Sequence, residues 1–594
     1  MWRNHSGWAG RQGDLIHPDS GHRVPPRPGI AGNESGGARD GEIMPAPTTT
    51  VASRRDLLKL GGMSIVAHAA LPVLGRDAAE AQTPKRGGVF RIRGEDATTG
   101  FDPHLSTNHH RISTNLSFTH SRLVKVRAGP SVTPGTLPIE GDLAESWTQP
   151  TDRTYVFKLR KGVRWHPKPP VNGRELTADD VKYTYERFLS IKGNPNRSML
   201  GHVEKIEALD RASVRFTLSE PFGWFLDYLA NTVMWIVPRE AVEQFGDLKR
   251  SEACIGTGPW MLERYEPNVR LLFARNPNYF VSGLPYADGI EVTVDEDPSS
   301  RLSAWIAGKY DFAPEYGQCV RRLDLDVAKG RKPGLKTQEF VVLFGGVTMM
   351  KLDREPFRDV RVRRALAQTS NWKEILESNA WSLGHGVPNP TVPAALKEWT
   401  IPINQLTPEG KRLYERNVPE AKRLLAQAGF PSGLKLPVEA TLGWSPDYVD
   451  ILQVVMRNWK DAGIDTELRG KEFGAFVSSV IYGKFEKLAH SLRGGSPIAD
   501  LTLYAGHIPG EALNSSGVDD PKLTDMIRLQ RRTLEVAKRR EIVFDIQRYL
   551  AEQVYYHYDP SVLTVAAWEP YVKNFAPNLG HDYGGRLMAA WLDR

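Results

Sequence analysis

Residues 155–189, YVFKLRKGVRWHPKPPVNGRELTADDVKYTYERFL, restrict what this chain can become more than any other stretch. Tyr155, Phe157 and Leu159 take one face of an alternating run, and Val156, Lys158 and Arg160 take the other. That is the pattern of a half-buried strand. A basic turn follows, then Val163, Trp165 and a proline-rich connection that cannot be helical. Thr177 suits a helix N-cap, and Asp180 three residues on completes a capping box. Val181, Tyr185, Phe188 and Leu189 then recur at the i, i+4, i+7, i+8 spacing of a buried helix face. Strand, loop and capped helix follow one another within one segment.

At 594 residues the chain is too long for one core and predicts two or three domains. A hydrophobic fraction of 40% with 25% charged residues is that of a globular protein. The net charge of +7 is spread among interleaved acids and bases, so it is not the clustered basic face that nucleic acid requires. The basic run from Arg531 and Arg532 to Lys538, Arg539 and Arg540 alternates with Leu534, Val536 and Ala537, and reads as a solvated helix face. Cys254 and Cys319 have no CxxC partner and no histidine at zinc spacing, so a structural metal site is not expected; an oxidising compartment would permit a disulfide between them, although no bridge is expected.

Residues 1–50 are rich in Gly, Pro, Arg and Ser without apolar periodicity, and read as a disordered extension. Ser53-Arg54-Arg55-Asp56-Leu57-Leu58-Lys59, an apolar run to Leu74, and Ala79-Glu80-Ala81 follow. That order is a twin-arginine motif, an h-region and a small-x-small cleavage site, making residues 51–84 a signal peptide cut after Ala81. Met44 would start a leader of more usual length. No cysteine lies near the cleavage site to carry a lipid anchor, which points to an enclosed periplasm.

The opening segment resembles the signature of the peptide/nickel class, family 5, of ABC-transporter solute-binding proteins, in Phe157-Lys158-Leu159-Arg160-Lys161-Gly162-Val163-Arg164-Trp165-His166 and Leu176-Thr177-Ala178-Asp179-Asp180-Val181. Ile255-Gly256-Thr257-Gly258-Pro259-Trp260, residues 355–366 (EPFRDVRVRRAL) and residues 419–429 (PEAKRLLAQAG) are similar to further family blocks, in family order. In the second of these, Val362, Ala365, Leu366 and Thr369 form the buried face of a helix and its arginines point outward. The two glycines of the first lack the third glycine of a nucleotide loop, and suit a tight turn before a strand. The resemblance implies an α/β, two-lobed periplasmic binding protein fold (type II, cluster C) with an extra inserted subdomain. Lobe I would comprise residues 85–119, 219–343 and 558–594, the insert 120–218, and lobe II 344–557. The apolar run 340–347 (FVVLFGGV) and residues 555–565 would pass between the lobes.

The resemblance further implies a monomeric periplasmic component of an ABC importer. It would hold a peptide, a peptide-like molecule or another small solute between its lobes and deliver it to membrane permease subunits, with ATP hydrolysed by partner subunits. No cofactor, metal, nucleic acid or catalytic activity is implied. A periplasmic hydrolase or a ligand sensor on the same fold is the alternative, although G-x-S-x-G, H-E-x-x-H and Walker A motifs are missing from the sequence. The candidate ligand residues are Asn108, His109, Trp444, Arg493, Gly494, Gly495 and Asp500. Peptide-binding members carry a Trp and, three residues later, an Asp that neutralises the ligand ammonium; here Leu492 and Gly495 stand at those positions. A buried ammonium needs such a partner, which argues against a ligand with a free amino group. Arg493 suits a carboxylate or phosphate, and Asp500 a cation. The leader reading predicts that Edman sequencing of the exported protein begins at Gln82; a mature chain beginning before residue 53 would contradict it.

Overall fold

The computed structural model describes residues 83–94, 100–105, 115–295, 297–313, 319–494, 496–577, 585 and 587–594. Residues 1–82, with nearly all of the expected leader, lie outside them, as do Asn108, His109 and Gly495. No helix among the described residues is long and apolar enough to cross a membrane.

Strand Thr154–Leu159 turns Tyr155, Phe157 and Leu159 inward, as its alternation dictates. It pairs with Ala144–Thr151 on one side and Ser213–Leu218 on the other, and Val203–Asp210 completes an antiparallel sheet of four. Helix Ala178–Ser190 lies against this sheet; Asp180 reaches back to accept the Thr177 N–H at 2.8 Å. Tyr185 meets Phe216 edge-on at 5.3 Å. A second sheet places Val89–Gly94 parallel to Gly289–Val294, then continues antiparallel through Arg270–Arg275 to Trp260–Glu266.

The Trp165-His166 and Gly256-Thr257-Gly258 motifs meet in space. The Gly256 N–H donates to His166 Nδ1 at 3.2 Å, and His166 Nε2 lies 3.2 Å from the Gly258 carbonyl. Accepting at Nδ1 and donating at Nε2 makes this imidazole neutral, and burial pushes its pKa down to about 3. A Cβ on Gly256 would fall 1.9 Å from the Thr119 carbonyl oxygen, and one on Gly258 2.6 Å from the Thr119 carbonyl carbon. The glycines therefore serve a close approach of two backbones, where a tight turn was expected.

The third principal sheet has five strands in the order Ile464–Lys471, Leu434–Thr441, Leu488–Gly494, Phe344–Met350, Tyr556–Tyr558. Its last two strands are where the chain changes sheets. Lys336–Val341 pairs with Ser561–Trp568 in a separate small sheet, whereas Phe344–Met350 pairs with Tyr556–Tyr558 in the five-stranded one. Two antiparallel segments thus run side by side from one sheet to the other, turning over at Val342-Leu343 and Asp559-Pro560.

Two expectations about arginines are corrected. Arg363, on helix Val360–Ala367, is buried and donates to the carbonyls of Phe357, Arg358 and Gln553; Arg364 donates to that of Glu552. These residues do not point into solvent: they satisfy the last carbonyls of helix Val536–Gln553, which no backbone N–H can reach. Arg531 and Arg539 are likewise buried, among aromatic rings, whereas Arg532 and Lys538 are exposed, so the basic run is a solvated face only in part.

Arg187 anchors the Asp102-Pro103-His104 turn to helix Ala178–Ser190. Its guanidinium grips both Asp102 oxygens, and the His104 N–H donates to Asp102 at 3.0 Å. Burial pushes the Asp102 carboxyl up, but the Arg187 guanidinium outweighs it and holds the group below the ordinary carboxylate range. A depressed folded pKa contributes stability that is present above the unfolded value and lost as pH falls through the folded one. Asp102→Asn is therefore expected to cost about 3–5 kcal/mol at pH 7, because it leaves a buried guanidinium uncompensated. In urea titrations the gap to wild type should close below about pH 4, where the carboxyl begins to protonate; a gap independent of pH would contradict the pairing.

Candidate functional site

Strands Leu434–Thr441 and Leu488–Gly494 are parallel, so their carboxyl ends open on the same edge of the five-stranded sheet. Gly494 lies opposite Phe344, the residue at which the crossing chain enters that sheet. Open α/β sheets bind ligands outside the carboxyl ends of their strands. This edge is also where the chain leaves for the other sheet.

Trp444 stands in the turn after Leu434–Thr441. Ser445 fixes that turn by accepting the Tyr448 N–H at 3.2 Å, capping helix Pro446–Asp461. The Trp444 ring meets Phe473 edge-on at 4.8 Å and packs with Leu492 against Ala440, Tyr448 and Leu452. Its indole N–H is buried and has no partner among the described residues. Leu442 and Phe473 beside it are 51% and 40% exposed, an apolar lip larger than a turn needs.

Arg493 donates from Nη2 to the Leu513 carbonyl at 2.6 Å and lays its guanidinium over Tyr556, 5.6 Å from the ring centre. Successive strand residues face opposite ways. Leu492 accordingly sits with Trp444, and Arg493 faces away from both, toward Tyr556. The sheet edge thus brings together Trp444, Arg493 and Gly494, on two faces and not in one cluster.

Asp500 sits elsewhere, fully buried in the first turn of helix Ala499–His507. Oδ1 accepts from Gln530 Nε2, Oδ2 accepts from Tyr228 Oη at 2.8 Å, and Arg531 Nε lies 3.1 Å from Oδ2. The sequence reading aimed this carboxylate at a ligand cation; both oxygens are instead engaged inside the protein.

The crossing itself carries polar residues that sequence reasoning missed. His490 Nε2 is 3.0 Å from Asp559 Oδ2, and Tyr448 Oη donates to the His490 carbonyl at 2.9 Å. The Asp559 N–H donates to the Gly346 carbonyl at 2.9 Å. A Cβ on Gly346 would fall 1.8 Å from Asp559 Oδ2, so the carboxylate occupies the space a side chain would need. His557 lies beside the pair; burial pushes its pKa down to about 4 against the upward pull of Asp559. Sixty-nine residues separate His490 from Asp559, and no periodicity joins them. The one signal was Gly345-Gly346 inside an apolar strand, a mark of close backbone or side-chain approach. Among the described residues no three His, Cys, Asp or Glu side chains group as metal ligands would.

Comparison with known proteins agrees with this architecture. The di/tripeptide-binding protein 1 of Pseudomonas aeruginosa is 27% identical over 492 residues, covering 77% of this chain and 86% of that protein. The nickel-binding periplasmic protein of Escherichia coli is 26% identical over 441 residues, 71% of this chain and 79% of that one. Among solved structures, the periplasmic binding protein DppA of Helicobacter pylori in complex with the peptide STSA superposes with a TM-score of 0.70 at 22% identity, covering 86% of this chain and 99% of that chain. MoaA of A. tumefaciens in complex with mannopinic acid gives 0.68 at 24%, covering 86% and 100%. These likenesses establish a two-lobed periplasmic binding protein fold. Residues 138–506, more than half of the chain, match the bacterial extracellular solute-binding proteins, family 5 Middle, and the chain belongs to that family of ABC-importer binding components.

Proposed function

We propose that this protein is exported by the twin-arginine route, captures one small anionic solute at the carboxyl edge of its five-stranded sheet, and releases it unchanged to a membrane permease. The observation that carries the reading is the coincidence at one edge of Trp444, the Arg493-Gly494 strand end and the two crossing segments. A solute held there contacts one half of the molecule directly and meets the other through rotation about the crossing. Ligand contacts made only in the closed form then draw the equilibrium toward it.

Arg493 supports the choice of an anion. Its contact with Leu513 uses one Nη, and its remaining N–H groups have no partner among the described residues. Trp444, on the other face of the sheet edge, offers an indole N–H without a partner among the described residues and an apolar wall. Leu492 and Gly495 stand where a peptide ammonium would need Trp and Asp, and Asp500 is held internally. Asn108, His109, Gly494 and Gly495, carried over from the family resemblance, complete the proposed set of ligand residues. The P. aeruginosa relative is named for di- and tripeptides and the A. tumefaciens structure holds mannopinic acid; both kinds of molecule carry a carboxylate, which supports the reading.

A thermal-shift screen over N-blocked and free di- and tripeptides, sugar–amino-acid conjugates, sugars and metal chelates tests the reading. Carboxylate-bearing molecules without a free α-ammonium should raise the melting temperature most. Arg493→Gln should weaken the best of them about tenfold or more, the worth of a charge-assisted hydrogen bond of about 1.5–3 kcal/mol. Preference for cationic solutes, undiminished by the substitution, would overturn the assignment, as would sustained turnover of any of these compounds.

A further inference from the structure

A buried polar relay joins the segment that follows the four-stranded sheet to the helices that precede strand Tyr556–Tyr558. Trp224 caps the short helix Phe225–Leu229, and Tyr228 lies one turn on, so both side chains leave the same face. Trp224 Nε1 donates to Gln530 Oε1 at 2.7 Å. The Gln530 amide nitrogen donates onward to Asp500 Oδ1, while Tyr228 Oη donates to Asp500 Oδ2. An indole N–H can only donate and a carboxylate can only accept, so the Gln530 amide has one possible orientation. All four side chains are at most 1% exposed.

Arginines close the relay on both flanks. Arg531 pairs with Asp500 and lies between the rings of Phe222 and Tyr504, at 4.8 and 3.7 Å. Arg539 lies over Trp224 at 4.8 Å, and Trp224 meets Trp399 at 4.3 Å. The Gly223 N–H donates to the Arg531 carbonyl at 2.8 Å. A Cβ on Gly223 would fall 2.0 Å from Arg539 Nη1 and 2.6 Å from the Thr533 carbonyl oxygen, so the two sides fit only through a glycine.

We infer that Trp224, Tyr228, Gln530 and Asp500 form a clasp that holds the ligand-free chain closed for part of the time. This rests on the capture-by-closure reading above and adds a second determinant of affinity, remote from the solute. The carboxylate is desolvated on closure and repaid by donors that already point at it. Separation of the halves gives Tyr228, Trp224 and Asp500 back to water, so the open form carries no unpaired buried group.

The test is single-molecule energy transfer on the full mature chain, labelled through Glu186→Cys and Gln453→Cys. Both positions are exposed, and the native thiols of Cys254 and Cys319 are buried. The ligand-free protein should show two distances, the shorter one populated. Tyr228→Phe should lower the short-to-long ratio about ten- to a hundredfold, the effect of deleting one hydrogen bond to a charged group. Gly223→Ala, whose backbone any residue can adopt, should act as a wedge and shift the ratio the same way. Two distances whose ratio neither substitution moves would overturn the clasp and leave capture standing. A single distance in all three ligand-free proteins would likewise overturn the clasp and leave capture standing.

Discussion

Everything distinctive in this molecule depends on two antiparallel segments that pass together from one sheet into another. At Val342-Leu343 and Asp559-Pro560 the chain exchanges one set of ladder partners for a different one, so few backbone hydrogen bonds span the gap. In the proposed closure, rotation there would need changes in a few dihedrals only, while the sheets on either side would keep their packing. Asp559 is pinned at this point by His490 and by the Gly346 carbonyl, which limits how the crossing bends. A carboxylate buried at a pivot needs such partners, because an unpaired one would cost more than a hinge can offset.

From that constraint the placement of function follows. A crossing at the carboxyl edge of the strands puts the strand-end turns beside the two crossing segments. Trp444 and Arg493 reach this edge because each lies at or just beyond the end of a parallel strand. Their positions come from the sheet, and their chemistry from a buried indole donor and a guanidinium with N–H groups that have no hydrogen-bond partner among the described residues. In the proposed clasp, the contact of Tyr228 with Asp500 lies at a distance from that edge, so affinity would depend on residues that never touch the solute.

Local structure was legible in the sequence wherever one element set its own pattern. Alternation located Thr154–Leu159, and the Thr177–Asp180 box located the helix after it. The motif resemblance carried further, to the family and the two-lobed fold. Charge was read least well. Arg363, Arg531 and Arg539 were assigned to solvent because arginine usually is exposed, and a helical stripe cannot show that carbonyls or aromatic rings from distant segments surround it. Asp500 was aimed at a ligand for the same reason: its partners Tyr228 and Gln530 lie 272 and 30 residues away. Long-range polar pairs leave no period in a sequence, and only the assembled structure displays them.

Native mass spectrometry of the protein drawn from its own periplasm tests the central claim most directly. The account predicts one small molecule bound per chain, carrying a carboxylate or comparable anion and released with its mass unchanged after prolonged incubation. A chain that emerges empty under all gentle conditions, or a bound molecule that is converted into products, would contradict it.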